Sequence, residues 1–419
     1  MSRKQIPTFV DLFAGCGGLS LGLEQAGFTP IFVNELNPDA MSSYLRNRQH
    51  LPFDLSLQQR HVHDIHALSQ RPSELNAMAE GLRREHGDIS LVVGGPPCQG
   101  FSGIGHRRTF TEVTKAIIPS NHLYSEMARV IEAIQPRAFI FENVRGLLSS
   151  RWNSSGEKGE IWQDVQRTFS EIGGRRGLHS YSIDSALVFA KNYQVPQNRP
   201  RVILIGIRDD VHWTPTTDIA GGRLPNPSGF GPDLIDLLGD LSDPNFAKIK
   251  SSLVYPFPVS NDIQRLLRTN NSGIIARKGS QLSEMDYSNH SPDVVRKFQY
   301  MLKHQGKIPA AMQTKKFAQR VLPERWPSKG PTITATSLPD DYVHFELPRI
   351  LTVREWARLQ MFPDHYEFSG KRTTGGRRRA GDPDASDWSR DLPKYTQIGN
   401  AVPVELARQI GQHLLGIIG

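Results

Sequence analysis

The segment TFVDLFAGCGG, residues 8–18, joins an apolar run to a cluster of glycines. The apolar run predicts a strand that is buried on both faces. After the glycines, Leu19, Leu23 and Ala26 recur at helical spacing, and Gly27 is the expected C′ residue of that helix. Glycines in such a strand–helix turn allow a ligand to approach the backbone at the helix N-terminus. We therefore expect a ligand site at the carboxyl end of the first strand.

Short apolar runs of the same kind recur through the first half of the chain. A helical pattern over residues 123–134 lies between two of them and stops before Pro136. This alternation predicts an α/β fold, with a mostly parallel sheet, helices on both faces and ligands at the carboxyl ends of the strands. The predicted strands are residues 8–13, 31–34, 89–93, 138–141, 186–189 and 202–207.

The pattern becomes less regular after the last of these strands. Residues 211–345 are richer in proline, glycine, serine and asparagine. A capping box from Thr352 to Glu355 predicts a further helix, and Pro403 at a favoured first-turn position predicts the last one. We predict a large domain over residues 1–215, completed by residues 391–419, and a smaller irregular domain over residues 216–390.

The composition excludes several classes of protein. With 38% hydrophobic and 22% charged residues among 419, the chain is typical of a globular protein. The net charge of +8 favours an anionic partner, with nucleic acid the first candidate. Two cysteines exclude a disulfide framework and a Cys-x-x-Cys metal knuckle, which fits a reducing cytoplasm. No apolar run reaches the ~18 residues of a membrane span, so we expect no membrane association.

The third predicted strand ends in GGPPCQGFS, residues 94–102. Two prolines stiffen the chain just before Cys98, and glycines on both sides leave space around its side chain. A cysteine presented in this way can act as a nucleophile, because even a small thiolate fraction is very reactive. The alternative is a cysteine that only fills a turn.

Three further charged positions stand at the ends of predicted strands. Glu35 follows the second strand about 20 residues after the glycines, where an acidic group can accept hydrogen bonds from ribose hydroxyls. Glu142 ends the next strand after Cys98 and can act as an acid in the same cleft. Arg199 and Arg201 project to one face if extended and suit a phosphate or carboxylate. The alternatives are a turn without a ligand, a surface carboxylate and a solvated basic edge.

Six segments, taken together, resemble the ordered motif set of DNA cytosine-5 methyltransferases of the prokaryotic restriction–modification type. The resemblance spans nearly the whole chain, from Asp11 to the final helix. It implies a Rossmann-like S-adenosylmethionine-dependent methyltransferase domain and a smaller target-recognition domain. The segments are DLFAGCGG (11–18), PPCQ (96–99), ENV (142–144), QNRPR (197–201), REWARLQ (354–360) and QIGNAVP (397–403).

The resemblance implies a covalent reaction on a cytosine that is flipped out of the duplex. Cys98 would attack C6 of the base and make C5 nucleophilic. Glu142 would hold the N3 side of the base, and Arg199 its carbonyl oxygen, with Arg201 in the same catalytic set. C5 would then take the methyl group, and loss of the C5 proton would free Cys98.

The resemblance also implies the positions that bind cofactor and DNA. Leu36 stands where many relatives have a tryptophan stacked on adenine, which implies different adenine packing here. The loop after the cysteine would close over DNA through Gln99, Phe101, Ser102, Arg107 and Arg108. The cofactor residues would be Phe13, Gly15, Gly18, Leu19, Glu35, Leu36, Asp64, Ile65, Pro96, Asn400 and Val402.

The implied partners are double-stranded DNA and a restriction endonuclease that acts on the same site without a stable complex. We expect a monomer in the prokaryotic cytoplasm, associated with the nucleoid. A relative that methylates transfer RNA, an inactive DNA-binding relative and a dehydrogenase are the alternatives. We expect no metal, because His61, His63 and His66 have no cysteine near them in sequence.

Overall fold

A computed structural model gives the fold of the chain. The first strand, β1, is Thr8–Leu12, and the remaining strands follow it along the chain. They are β2 (Thr29–Asn34), β3 (His61–Val62), β4 (Leu91–Gly94), β5 (Ala138–Val144), β6 (Tyr181–Phe189), β7 (Pro200–Arg208), β8 (Arg320–Val321) and β9 (Tyr342–Val343). The structure describes residues 6–97, 122–153, 155–174, 177–309, 312, 319–325, 332–333, 335, 339–374 and 391–419.

Helices connect most of these strands. The first, α1, is Gly18–Ala26, and Gly27 ends it in the left-handed region at φ 108°, as predicted. The others are α2 (Pro38–Arg46), α3 (Ile65–Ser69), α4 (Pro72–His86), α5 (Leu123–Ile134), α6 (Glu160–Ser170), α7 (Leu234–Leu238), α8 (Asp262–Arg268), α9 (Pro292–Lys303), α10 (Val353–Arg358), α11 (Lys394–Asn400) and α12 (Val404–Ile418).

Among the described residues, seven strands form one mixed sheet in the order β3-β2-β1-β4-β5-β7-β6. The pairs from β3 to β5 are parallel, whereas β7 runs antiparallel to both β5 and β6. The predicted α/β fold and its six strands are confirmed, and the sequence analysis missed β3. The carboxyl ends of β1, β2, β3, β4 and β5 therefore meet at one edge of the sheet, where ligands bind in such folds.

The core explains why these segments take these forms. Strands β1 and β4 are buried along their whole length, as near-continuous apolar runs require. Met127, Val130 and Ile131 on α5 are fully buried in the same core. The helix ends where Gln135 enters the left-handed region and Pro136 follows, so the predicted helix and its end are confirmed.

The chain divides into two compact units. The first comprises Met1–Phe189, Pro200–Pro227 and Leu406–Gly419, and the second comprises Ala190–Arg199 and Ser228–Glu405. The second unit contains a buried ion network, in which Arg358 pairs with Asp240 and Asp364, and Arg268 pairs with Asp240. Across the described part of the chain, none of the helices has the length and apolar character needed to cross a membrane.

Both helices predicted near the end of the chain are present. Thr352 caps α10 in a capping box with Glu355, so this prediction is confirmed. Helix α12 follows Pro403, and Gly411 on it lies against α1. A Cβ at Gly411 would come within 2.8 Å of Ala26 Cβ and 3.0 Å of Leu23 Cδ2. The end of the chain thus packs closely on its first helix.

Candidate active site

The turn after β1 has three residues with positive φ: Phe13 at 56°, Gly15 at 57° and Gly17 at 86°. Only glycine adopts this region without strain, so the two glycines fit and Phe13 has to be held there. Apart from Gly15 and its two chain neighbours, no described residue has an atom within 4 Å of the position that a Cβ at Gly15 would take. Gly18 and Leu19 begin α1 and are buried. The turn therefore leaves room beside Gly15.

Glu35 directly follows β2 and faces this turn. Its Oε2 accepts a hydrogen bond from Gly15 N at 2.8 Å, and its Oε1 accepts one from Asn37 N at 2.7 Å. Burial raises the pKa of this carboxyl, while the two backbone donors act in the opposite direction. The next residue, Leu36, is 70% exposed. An acidic group and an apolar side chain thus stand side by side at the end of β2.

Asp64 and Ile65 follow β3 at the same edge of the sheet. Asp64 is exposed and caps α3, because its side chain accepts hydrogen bonds from His66 N and Ala67 N. Ile65 is buried. The Nδ1 atoms of the three histidines contact three different groups: Leu57 O, Glu35 O and Glu126 Oε1 for His61, His63 and His66, respectively.

Asn34, the last residue of β2, was missed by the sequence analysis. Its side chain is buried and bonds to residues after β1 and at the end of β3. Oδ1 accepts from Phe13 N at 3.1 Å, and Nδ2 donates to Val62 O at 3.0 Å and to His63 O at 2.8 Å. Its position directly before Glu35 was the available signal.

Glu142 and Arg201 form an ion pair at the ends of β5 and β7. Arg201 lies opposite Val144 in the antiparallel ladder, so its diagonal neighbour on the same face is Glu142. Arg201 Nε is 2.5 Å from Glu142 Oε1, and each side chain is 10% exposed. Neither atom meets hydrogen-bond geometry with a described residue. Both atoms are buried, so the ion pair is shielded from water.

The segment that leads to the cysteine lies beside this pair. A Cβ at Gly95 would lie 2.8 Å from Glu142 Oε2, so only glycine fits there without displacing the carboxylate. Asn143 Nδ2 donates to Pro96 O at 3.1 Å and fixes the same segment to β5. Cys98 and the predicted DNA-contacting residues lie outside the described residues, namely Gln99, Phe101, Ser102, Arg107 and Arg108.

Arg199 and Arg201 have different partners. Arg199 precedes β7 and is buried in the second unit. Its guanidinium donates to Ile333 O at 2.9 Å and to Gly399 O at 2.6 Å. The rule that residues two apart share a face applies within a strand, and β7 begins only at Pro200. Asn400 ends α11, and Val402 is buried, both in the second unit.

Two buried groups near the carboxyl end of β1, Cys16 and Asp11, have pKa values well above their ordinary ones. Burial raises the pKa of the Cys16 thiol to about 12, so this cysteine is protonated at neutral pH and is no nucleophile. Burial also raises the pKa of Asp11 to about 7, against a smaller opposite effect of the hydrogen bond from Ser20. Asp11 is therefore protonated in a large fraction of molecules at neutral pH.

Asp11 gives a testable pH dependence of stability. Its folded-state pKa of about 7 exceeds the ordinary value of 3.8, so its contribution is complete below about pH 4 and is lost as the pH rises through 7. The free energy of unfolding should fall by about 4 kcal/mol over this range on account of Asp11. We therefore expect the free energy of unfolding of Asp11→Asn, taken relative to that of the wild type, to increase by about 4 kcal/mol between pH 4 and pH 8.

Denaturant unfolding at several pH values measures this difference. Asp293→Asn is the control, because the Asp293 side chain is 84% exposed. A difference between Asp11→Asn and the wild type that is constant with pH would contradict the prediction.

Within the described part of the chain, one group of residues has the spacing of a cation site. His179, Asp209 and Asp210 lie together, and all three are exposed. Arg208 already bonds to Asp210, at 2.6 Å from its Nε. We assign no metal to this group.

The sequence matches the family described as C-5 cytosine-specific DNA methylase over residues 7–416. It is 29% identical over 414 residues to the type II methyltransferase M1.HphI of Haemophilus parahaemolyticus, covering 97% of this chain and 86% of that protein. It is 27% identical over 418 residues to the type II methyltransferase M.DdeI of Desulfomicrobium norvegicum, covering 97% and 88%.

Solved structures share the fold. A crystal structure described as a DNA modification methyltransferase encoded within an Escherichia coli prophage has a TM-score of 0.63 and 23% identity, covering 98% of this chain and 99% of that one. The Entamoeba histolytica methyltransferase EhMeth has a TM-score of 0.52 and 14% identity, covering 99% of each chain.

Proposed function

The chain belongs to the C-5 cytosine-specific DNA methylase family, and from this premise we propose that Cys98, Glu142 and Arg201 carry its reaction on cytosine in double-stranded DNA. The observation that carries the proposal is the buried Glu142–Arg201 pair beside the segment that leads to Cys98. Burial strengthens the interaction of both groups with a base, because little water competes there.

In the proposed reaction, the Cys98 thiolate forms a bond to C6 of a flipped-out cytosine. Glu142 hydrogen-bonds the N3 side of the ring and favours its protonation, so electron density accumulates at C5. Arg201 holds the base's carbonyl oxygen and, through its ion pair, the orientation of Glu142. After C5 has been methylated, a base removes the C5 proton, and the C6–sulfur bond breaks to release Cys98.

We assign the carbonyl contact to Arg201 rather than to Arg199. Arg201 is paired with Glu142, whereas the Arg199 guanidinium donates to the backbone carbonyls of Ile333 and Gly399. Arg199 then has a positioning role, in which it fixes the backbone just before Asn400.

The residues at the ends of β1, β2 and β3 fit S-adenosylmethionine. The space beside Gly15 admits a ligand against the backbone, and the Glu35 carboxylate can accept from ribose hydroxyls. Leu36 offers an exposed apolar surface, and Asp64 an exposed carboxylate, for the adenine. The cofactor, when bound, supplies an electrophilic methyl group. From the family resemblance we also propose roles in cofactor binding for Phe13, Gly18, Leu19, Ile65, Pro96, Asn400 and Val402.

Substitution of Leu36 by tryptophan is expected to raise the affinity for the cofactor. In Leu36→Trp, an indole would replace an exposed leucine beside the adenine, and aromatic stacking contributes about 0.5–1.5 kcal/mol. We expect the Kd for S-adenosylhomocysteine to fall about 3- to 10-fold. Isothermal titration calorimetry measures it, with Leu253→Trp as the control at another exposed leucine. An unchanged or weaker affinity would contradict the placement of the adenine.

The remaining assignments concern DNA and biological role. We propose that residues 216–390 contain the target-recognition domain and that residues 1–215 with 391–419 form the catalytic domain. The loop residues Gln99, Phe101, Ser102, Arg107 and Arg108 would contact DNA around the flipped base. Since relatives are type II methyltransferases, we propose host protection beside a cognate restriction endonuclease, by a monomer that acts on the nucleoid in the cytoplasm.

Methyl transfer from labelled S-adenosylmethionine to unmethylated genomic DNA tests the function. We expect the label as 5-methylcytosine in a defined sequence of duplex DNA. DNA that contains 5-fluorocytosine in that sequence should trap an adduct that survives denaturation, because the fluorine at C5 cannot leave as a proton does. Label on transfer RNA alone, or no label on any nucleic acid, would overturn the proposal.

A further inference from the structure

The carboxyl ends of β1, β2 and β3 are joined by a single buried side-chain amide. Asn34 is 1% exposed and uses each of its hydrogen-bonding groups on the backbone of a neighbouring strand end. One acceptor faces an N–H group and two donors face two carbonyls, so the partners permit only one orientation of the amide.

Two of the three bonds of Asn34 end at, or directly before, a proposed cofactor residue. Oδ1 holds the backbone of Phe13 itself, in its left-handed conformation. Nδ2 holds the carbonyl of His63, which precedes Asp64. Glu35 follows Asn34 in the chain, and its own N–H donates to Val62 O at 3.3 Å, the carbonyl that Nδ2 also reaches.

We infer that Asn34 is a positioning residue that sets the relative placement of Phe13, Glu35 and Asp64, and thereby the affinity for the cofactor. This inference rests on the proposed cofactor site. The Phe13 conformation is unfavourable by about 1–2 kcal/mol for a residue with a Cβ, so it needs a fixed partner. Backbone bonds from Ala14 N to Asn34 O at 2.9 Å and from Glu35 N to Val62 O at 3.3 Å already join these strand ends, and the amide adds the bonds to Phe13 N and His63 O.

Asn34→Asp is the sharpest test, because it keeps the size and the acceptor for Phe13 N. It replaces both donors with an oxygen that faces the Val62 and His63 carbonyls. We expect the Kd for S-adenosylhomocysteine and the KM for S-adenosylmethionine to rise at least about 10-fold. The kcat at saturating cofactor and the KM for DNA should stay within about 3-fold of the wild type.

Two further variants complete the experiment. Asn47→Asp is the matched control: its amide also donates to a backbone carbonyl, Ser43 O at 2.7 Å, but at the end of α2. Asn34→Ala removes the bonds without placing an oxygen against the carbonyls. The Tm of every variant is measured beside its binding of S-adenosylhomocysteine, with the full-length protein throughout.

The inference is supported if the Kd for S-adenosylhomocysteine rises in the folded Asn34 variants while their kcat is retained. The Kd of Asn47→Asp should equal that of the wild type. An unchanged Kd in the Asn34 variants would overturn the inference, and so would an equal loss in kcat and in DNA binding. Unfolding of both Asn34 variants would also overturn it, because the amide would then hold the fold rather than the site. A wild-type protein that binds no S-adenosylhomocysteine would instead refute the proposed cofactor.

Discussion

The Cys98→Ala variant is expected to lose methyl transfer by at least about 10⁴-fold, a loss of the size seen when the nucleophile of a covalent mechanism is removed. Without the sulfur, no bond forms at C6, and C5 of a neutral cytosine stays a poor nucleophile. The variant should still bind S-adenosylhomocysteine, because the strand ends proposed to hold the cofactor are unchanged. Transfer of labelled methyl groups to the target duplex measures the loss.

The other cysteine of the chain, Cys16, provides the matched control for this experiment. Cys16 is buried, and its thiol has a pKa of about 12, so it has no part in attack on the base. Cys16→Ala should therefore still form the denaturation-stable adduct with 5-fluorocytosine DNA, and Cys98→Ala should form none. An adduct in Cys98→Ala, or methyl transfer at a rate near that of the wild type, would refute covalent catalysis by Cys98.

The Glu142→Gln variant is expected to lower the rate of methyl transfer by about 10²- to 10⁴-fold, the range typical of a lost general acid. Glutamine keeps the shape of the side chain, but its amide cannot transfer a proton to N3 of the ring. It also loses the charge that pairs with Arg201, so the arginine loses a buried partner. Single-turnover rates with enzyme, cofactor and duplex already assembled separate this loss from a change in binding.

A surface glutamate gives the comparison for Glu142. Glu85 also pairs with an arginine, Arg60, but its side chain is 53% exposed. We expect Glu85→Gln to keep the wild-type rate within about 2-fold, since exposed ion pairs contribute little. A Glu142→Gln rate within about 3-fold of the wild type, at unchanged Tm, would remove Glu142 from the catalytic set.

Much of the fold followed from the sequence because buried strands leave long apolar runs. Six strands, the helix over residues 123–134 and the helix capped by Thr352 were predicted and are present. Strand β3 was missed because two residues cannot show a period. The direction of β7 was missed as well, because the burial of a strand does not encode whether its neighbour runs parallel or antiparallel.

The site was less predictable where it depends on contacts distant in sequence. The placement of Glu35 beside the glycine turn follows from spacing, and the structure has its carboxylate bonded to Gly15. Pairing of Glu142 with Arg201, rather than with Arg199, depends on the register between β5 and β7. The bonds of Asn34 depend on three strand ends at once, which no local pattern reveals.

The packing of Gly411 against Leu23 and Ala26 has a consequence for biosynthesis. Roughly four hundred residues separate the two helices, so this contact has a very high sequence separation. On the ribosome, α1 is translated early, yet the face of α1 that contacts Gly411 cannot be covered until α12 has been translated. A nascent chain that stalls anywhere in between would expose this apolar surface, and it should depend on chaperones until synthesis is complete.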